Sequence, residues 1–353
     1  MKRVFKILGI NAAIFIALLF VLELSLAAFL GPVYLRSDPT WIADGHTKGR
    51  IRPNSTIEGA GGHNVLNPIQ RETVARYQLN SLGFRGPDWD FAAPYSNVFL
   101  GASSTFNFHD SDDAIWPFLV NGCLQSQQNR DYQYVNLSQP GYSVENAPHL
   151  YIQIAQHLNP RNIFVYHAWN DLKLVSRLAS DRNRRFFSGV SRNQWSIKNA
   201  LLDLGLFPNI IQRANIFFRS NLATENYYAD SKVSEEDIAF AIDFLRRQYE
   251  VLIDLAGEDR QIYLIKQGVN IDGEGLPPKD AVIGRLQRMT KAQFQSALTA
   301  YFSMLDDLAE DHTQVRVIDA QSMLPKTEDI FEDHVHLQTK GNRLLAEVIC
   351  SNL

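Results

Sequence analysis

The stretch NVFLGASSTFN, residues 97–107, changes from an apolar run to small polar residues at Gly101. The run 97–100 predicts a buried strand, and the residues after it predict a tight turn and the start of a helix. In an open α/β sheet, ligands bind just past the carboxyl ends of the strands. Ser103 is therefore a candidate functional residue, although a Gly-x-Ser turn also occurs where no catalysis takes place.

A base and a carboxylate lie near the other end of the chain. Residues 331–342 read FEDHVHLQTKGN, in which Asp333 precedes His336 by three positions. A serine nucleophile needs a base to take its proton and a carboxylate to hold that base in the right tautomer. One loop therefore supplies both groups, and we expect it to approach Ser103.

Two further blocks follow predicted strands. Residues 136–143, NLSQPGYS, place Gly141 after a second strand, and residues 164–172, FVYHAWNDL, place Asn170 after a third. With the serine turn and the Asp-x-x-His loop, these blocks resemble the SGNH superfamily of GDSL-type esterases and acyltransferases. The resemblance extends over about residues 79–353.

The resemblance implies a role for each of these residues. Ser103 would be the nucleophile and would also donate its own N–H to the oxyanion hole, Gly141 would add a second N–H and Asn170 a side-chain amide. His336 would be the base and Asp333 the group that orients it. We expect no cofactor, because the sequence lacks the glycine patterns of nucleotide sites. No metal is expected either, since no Cys pair or His-x-x-x-His motif supports the Asp-x-x-His loop as a ligand set.

The chain departs from the family pattern at three positions. Ala102 stands where Asp or Gly usually precedes the serine, Ala168 replaces the glycine of Gly-x-Asn-Asp, and Asn107 replaces a glycine after the first block. None of these changes removes a reacting atom. They leave open a catalytically silent binding or assembly protein of the envelope on the same fold.

The fold class expected is α/β, with a flavodoxin-like doubly wound parallel sheet in three α/β/α layers and strand order 2-1-3-4-5. Predicted strands are 97–100, 134–137, 163–166, 261–266 and 314–318, and predicted helices are 112–125, 144–157, 235–256, 291–310 and 339–351. A helical insertion at about 173–260 follows the third strand. It is interpreted either as an extra helical layer or as a lid, a polymer-binding wall or a second membrane contact.

Residues 1–35 differ from the rest in composition. Lys2, Arg3 and Lys6 precede a long apolar stretch, 7–30, which is interrupted only by Glu23. This pattern predicts a single-pass anchor in the inner (cytoplasmic) membrane, with the remainder of the chain on the periplasmic or extracellular side. A cleaved signal peptide and a buried soluble helix are the alternatives that the sequence leaves open.

Three regions are expected: the cytoplasmic stub and anchor at 1–35, an approach segment at 36–90 that packs on the domain edge, and the catalytic domain at 91–353. The net charge of −4 over 353 residues, without a basic stripe, argues against nucleic acid as a partner. In an exported domain, Cys123 and Cys350 would be neighbours if the first and last helices cover the same face of the sheet. They would form either a disulfide or two separate buried thiols.

The function expected is hydrolysis of O-acyl esters, most simply O-acetyl, on an envelope or extracellular carbohydrate. An O-acyltransferase would use the same triad. Trp169 is expected to offer a stacking face to a sugar ring. Arg85 is interpreted as a structural residue or as a binding residue for a substrate carboxylate or hydroxyl.

Overall fold

The computed structural model describes residues 75–176, 233–271 and 289–353, together with 11, 14–15, 17–25, 41–42, 50–51, 54, 56–59 and 287. The chain divides into two compact units, Met1–Thr40 with Asn183–Tyr227, and Trp41–Arg182 with Tyr228–Leu353. Residues 183–227 were predicted to belong to the 91–353 domain, whereas this division groups them with the N-terminal residues.

Much of the predicted N-terminal anchor and of the predicted insertion lies outside the described residues. Residues 17–25 are helical. Over the described part of the chain, no helix has the length and apolar character needed to span a bilayer.

Nine strands lie among the described residues of the second unit. Two antiparallel pairs come first, β1 (Trp41–Ile42) with β2 (Arg50–Ile51) and β3 (Thr56–Gly59) with β4 (Ala75–Gln78). The central sheet contains β5 (Ser96–Gly101), β6 (Gln133–Asn136), β7 (Pro160–Tyr166), β8 (Gln261–Ile265) and β9 (Val315–Ile318). The strand order in this sheet is β6-β5-β7-β8-β9, and each pair of neighbouring strands is parallel. The predicted parallel α/β sheet with order 2-1-3-4-5 is thereby confirmed.

The helices are α1 (Ser103–Phe106), α2 (Trp116–Gln128), α3 (Ala147–Gln153), α4 (Glu235–Ala256), α5 (Lys291–Asp311), α6 (Ala320–Met323) and α7 (Thr339–Cys350). The predicted helix 112–125 is a 3₁₀ turn, Asp112–Ala114, followed by α2. The predicted helix 144–157 is also divided, because Ile154 leaves helical geometry and 3₁₀ turns stand on both sides of α3.

Side chains alternate between the two faces of the central sheet, as the strand geometry requires. Val98 and Leu100 lie in one buried cluster with side chains of α3, α4 and α5. Phe99 lies in the other cluster, with side chains of α2 and α7. There the rings of Phe99, Phe164 and Tyr263 stack across three neighbouring strands, with centroids 4.9 and 4.8 Å apart. The sheet is therefore buried on both faces.

Helices α2 and α7 cover the same face of the sheet, and one disulfide joins them. It links Cys123 of α2 to Cys350, the last residue of α7, with 6.4 Å between the Cα atoms. Of the two arrangements left open by the sequence, the structure contains the bonded one.

Candidate active site

Ser103 lies at the carboxyl end of β5, where a sharp turn leads into α1. A Cβ at Gly101 would lie 1.9 Å from the Thr105 hydroxyl oxygen, so the turn accepts only glycine at this position. The N–H groups of Thr105 and Phe106 both donate to the Ala102 carbonyl, at 3.0 and 2.8 Å. These contacts place Ser103 as the first residue of α1.

The structure brings Ser103, His336 and Asp333 together as one hydrogen-bonded chain. The Ser103 hydroxyl oxygen lies 2.9 Å from His336 Nε2, across 233 residues of sequence. His336 Nδ1 lies 2.7 Å from Asp333 Oδ2. Because a carboxylate only accepts, Nδ1 carries the ring proton and the Nε2 lone pair faces the serine.

The backbone holds the Asp333 carboxylate in place. Its second oxygen, Oδ1, accepts the N–H groups of Val335 and His336 at 2.8 and 2.9 Å. The loop is closed by an antiparallel bridge between Phe331 and Leu337. Its geometry therefore does not depend on the side-chain contact to Ser103.

Electrostatic interactions favour the charged forms of His336 and Asp333. Burial opposes protonation of His336, but the charge and hydrogen bond of Asp333 outweigh it and raise the pKa of His336 above its ordinary value of 6.5. Glu332 acts in the same direction and Lys173 opposes it. Burial works against ionisation of Asp333, yet His336 and the loop N–H groups hold the pKa of this carboxyl well below its usual range.

A second histidine–carboxylate pair lies beside the triad. His109 Nε2 is 3.2 Å from Glu332 Oε2; the Glu332 side chain is buried and that of His109 is mostly covered. The His109 ring meets the His336 ring edge-on, with centroids 6.0 Å apart. Glu332 directly precedes Asp333 in sequence, but no pattern in the sequence links it to His109.

Besides Ser103, the predicted oxyanion residues are Gly141 and Asn170, and they lie in loops that are hydrogen-bonded to each other. Gly141 follows β6 with a φ of +80°, a conformation that suits glycine. Asn170 follows β7, and its Nδ2 donates to the carbonyl of Tyr142 at 3.0 Å. The buried carboxylate of Asp171 accepts the Val144 N–H at 2.9 Å, which connects the same two loops again.

A small pocket opens beside the serine. Ser103 and Asn170 line it together with Ala102, Ser104, His167, Ala168, Trp169, Gln267 and Val335. Gln267, two residues after β8, holds the pocket wall through two hydrogen bonds. Its Nε2 donates to the Ser104 hydroxyl at 2.6 Å, and its Oε1 accepts the Trp169 N–H at 2.8 Å. Gln267 could not be predicted as a pocket residue from the sequence, because a single glutamine after a strand belongs to no motif.

Trp169 does not have the exposed face that the sequence analysis expected. Its side chain is 7% exposed, with the ring packed against Phe294 and His334 at centroid distances of 5.3 and 5.9 Å. The ring is therefore mostly covered, and Trp169 contributes to the pocket wall. Its contact with a sugar ring stays a prediction.

Arg85 is a structural residue. It is fully buried, and its Nε lies 2.7 Å from Asp112 Oδ1. The guanidinium also donates to the carbonyls of Phe106, Asn107 and Asp110, and lies over the Tyr77 ring. Of the two interpretations of Arg85, substrate binding is excluded by this burial, because its donors hold the segment after α1.

Asn107 stands where the pattern that the chain resembles has a glycine, and its backbone and side chain suit this position. It has a φ of +49°, in the region that asparagine tolerates better than most residues. Its Nδ2 donates to Asp110 Oδ2 at 2.9 Å and reaches the Leu337 carbonyl at 3.5 Å. Asp110 Oδ2 also accepts from Asn342 of α7 at 2.9 Å. The substitution thus adds contacts between the serine segment and the histidine loop.

No protein-family model and no curated sequence matches this chain. Several solved structures are similar to it. An acetylxylan esterase from Geobacillus stearothermophilus, solved as a catalytic mutant, is 12% identical, with 72% of this chain and 92% of that chain covered and a TM-score of 0.42. A member of the lipolytic protein G-D-S-L family from Veillonella parvula is 13% identical, with coverages of 73% and 97% and a TM-score of 0.40.

The C-terminal catalytic domain of peptidoglycan O-acetyltransferase A from Streptococcus pneumoniae is 10% identical, with coverages of 72% and 90% and a TM-score of 0.37. The chain is thus similar to an acetylxylan esterase, to a lipolytic protein of the G-D-S-L family and to an O-acetyltransferase domain. At these identities and TM-scores the similarity does not identify the chemistry, which has to be argued from the site.

Proposed function

We propose that this protein is a serine ester hydrolase of the SGNH type that removes small O-acyl groups, most simply O-acetyl. The observation that carries the proposal is the hydrogen-bonded chain from Ser103 through His336 to Asp333. These groups come from opposite ends of the sequence and meet with the spacing that nucleophilic catalysis requires.

The reaction follows the order of these contacts. As Ser103 Oγ attacks the ester carbonyl, His336 Nε2 takes its proton, and Asp333 stabilises the imidazolium that forms. Collapse of the tetrahedral intermediate breaks the bond to the alcohol, which leaves with the proton from His336. Water then attacks the acyl-serine with the same base, which releases the carboxylic acid and restores the serine.

The negative oxygen of the intermediate would be held by the N–H groups of Ser103 and Gly141 and by the Asn170 amide. One N–H of that amide is directed to the Tyr142 carbonyl. An –NH₂ group has two donors, and Asn170 lines the pocket beside Ser103, so we expect the second N–H to serve the oxyanion. Each such donor contributes roughly 3–4 kcal/mol to acyl transfer.

A small pocket beside Ser103 supports an acyl group of small size. The described residues leave a cavity of about 10 Å³ there, which is roughly the room that one water needs. Its wall includes Trp169, whose ring contacts Phe294 and His334. We expect an acetyl methyl to enter this space.

For location, we propose an exported domain tethered to the inner membrane, with an acylated envelope or extracellular carbohydrate as substrate. Lys2, Arg3 and Lys6 before the apolar stretch support this orientation. The disulfide between Cys123 and Cys350 is of a kind that persists in oxidising compartments. Protease accessibility in spheroplasts tests the orientation, and digestion only after lysis contradicts it.

The activity is tested on the full chain in detergent, with the Ser103→Ala variant. Ser126→Ala is the matched control, because Ser126 is an exposed serine on α2. We expect labelling by a fluorophosphonate and hydrolysis of nitrophenyl acetate in the wild type and the control, and neither in Ser103→Ala. Nitrophenyl butyrate and octanoate should be progressively poorer substrates.

Acetylated xylo-oligosaccharides, incubated with and without an unacetylated acceptor, separate hydrolysis from transfer. Free acetate indicates a hydrolase, and acetylated acceptor indicates the acyltransferase alternative. A folded wild-type protein that takes no label contradicts catalysis by Ser103 and favours a binding role.

A further inference from the structure

A lysine contacts the side chain of Asn170. Lys173 Nζ donates to Asn170 Oδ1 at 2.8 Å, while Asn170 Nδ2 donates to the Tyr142 carbonyl at 3.0 Å. Lys173 is partly exposed and follows Asn170 by three residues, on the first turn after β7. Both ends of the Asn170 amide therefore have a fixed partner.

These two contacts decide which way the amide points. If the amide were rotated by 180°, its –NH₂ would face the Lys173 ammonium and its oxygen would face the Tyr142 carbonyl. Both pairings would be repulsive, donor against donor and acceptor against acceptor. Rotation would also present an oxygen, and not an N–H, to the pocket beside Ser103.

The charge of Lys173 has a second effect on the same group. A cation at the amide oxygen polarises the amide, and hydrogen bonds in a chain strengthen one another at low local dielectric. The N–H that faces the pocket becomes a better donor. The hydrogen bond from the Lys173 ammonium to Asn170 Oδ1 is charge-assisted, and such a bond is stronger than a neutral one.

We propose that Lys173 is a positioning residue for the oxyanion hole: it holds the Asn170 amide with an N–H toward Ser103 and strengthens that donor. This inference rests on the proposed function, since it assigns a task within the same reaction. Lys173 itself need not touch the substrate, because its contact is with the amide oxygen.

Lys173 also lies near enough to affect His336. The groups that face His336 are Asp333 and Glu332 on its own loop, His109 beyond α1, and Lys173 after β7. The ammonium opposes a positive charge on the imidazole. Removing it therefore moves the acid limb of the rate profile to higher pH, an effect that a loss of packing alone does not produce.

The test compares Lys173→Met, which keeps the apolar stem, with Lys173→Arg, which keeps the charge. Arg247→Met is the control, because it removes one positive charge from an exposed position on α4. We expect Lys173→Met to lower kcat for nitrophenyl acetate by about 10- to 100-fold with KM little changed, as the loss of a charged hydrogen bond implies. Lys173→Arg should recover most of the rate, and the control should match the wild type.

The decisive measurement repeats Lys173→Met in an Asn170→Ala background. If the lysine acts through the amide, its substitution costs less than about twofold there, because the two changes are not additive. An equal loss in both backgrounds overturns the inference, as does an unchanged kcat in the single variant. Fluorophosphonate labelling of the wild type comes first: no label refutes the proposed function, whereas label with no effect of Lys173→Met refutes only the role of Lys173.

Discussion

Replacing Asp333 by asparagine tests the geometry of the triad most directly. Asp333 Oδ1 accepts the N–H groups of Val335 and His336, and Oδ2 faces His336 Nδ1 at 2.7 Å. In Asp333→Asn the two backbone donors keep the amide oxygen on their side. The new –NH₂ then faces Nδ1 and donates to it.

The consequence is the wrong tautomer of the catalytic base. With Nδ1 accepting, Nε2 of His336 carries the proton and points it at the Ser103 hydroxyl, 2.9 Å away. A ring in this state does not take the serine proton. In serine triads the loss from this change is about 10⁴-fold in kcat, which corresponds to about 5.4 kcal/mol of transition-state stabilisation.

The assay is kcat/KM for nitrophenyl acetate as a function of pH, with thermal unfolding as the check on folding. Asp329→Asn is the matched control, because Asp329 is exposed, lies four residues earlier and pairs with Lys340 at the surface. We expect the control to keep its activity. A folded Asp333→Asn variant with more than about a tenth of wild-type kcat would refute the assignment of Asp333 as the orienting group.

Three further results are expected. Because the pKa of His336 is raised above 6.5 and the base must be neutral, kcat/KM should rise with pH through a midpoint above 6.5; a midpoint below it contradicts the electrostatic argument. Gly341→Ala should lower the free energy of unfolding by about 1–3 kcal/mol in urea titrations, because its Cβ would lie 2.3 Å from the Ile330 carbonyl oxygen; an unchanged midpoint counts against the close approach. Reduction of Cys123–Cys350, which closes a loop of 227 residues, should lower stability by about 4–5 kcal/mol and lower the melting temperature, whereas equal melting curves with and without reductant show that the bond does not contribute.

The strands could be predicted because their signal is local. Each strand of the central sheet contains apolar residues within a few positions of turn residues, and a sheet covered on both faces needs such segments. The ends of helices were less predictable. The helix expected at 144–157 is divided at Ile154, where the backbone leaves helical geometry without a sequence signal.

Side-chain environment could not be predicted from the sequence. The sequence left two interpretations of Arg85 open, and it predicted an exposed ring face for Trp169. The structure buries both, because Phe294 and His334 cover the Trp169 ring and Asp112 pairs with Arg85. Burial depends on residues far away in sequence, so no local pattern reports it.

The sequence by itself determined the local parts of the site: a glycine turn that presents Ser103 after a strand, and one loop that contains both Asp333 and His336. Only the tertiary structure decided that these parts meet at 2.9 Å. The two parts are brought together by the strand order of the sheet and by contacts between distant segments. Examples are the hydrogen bonds of Asn107 to Leu337 and of Asp110 to Asn342. The physical reason is that a turn or a loop follows from neighbouring residues, whereas a catalytic distance across 233 residues is set by how the whole core packs.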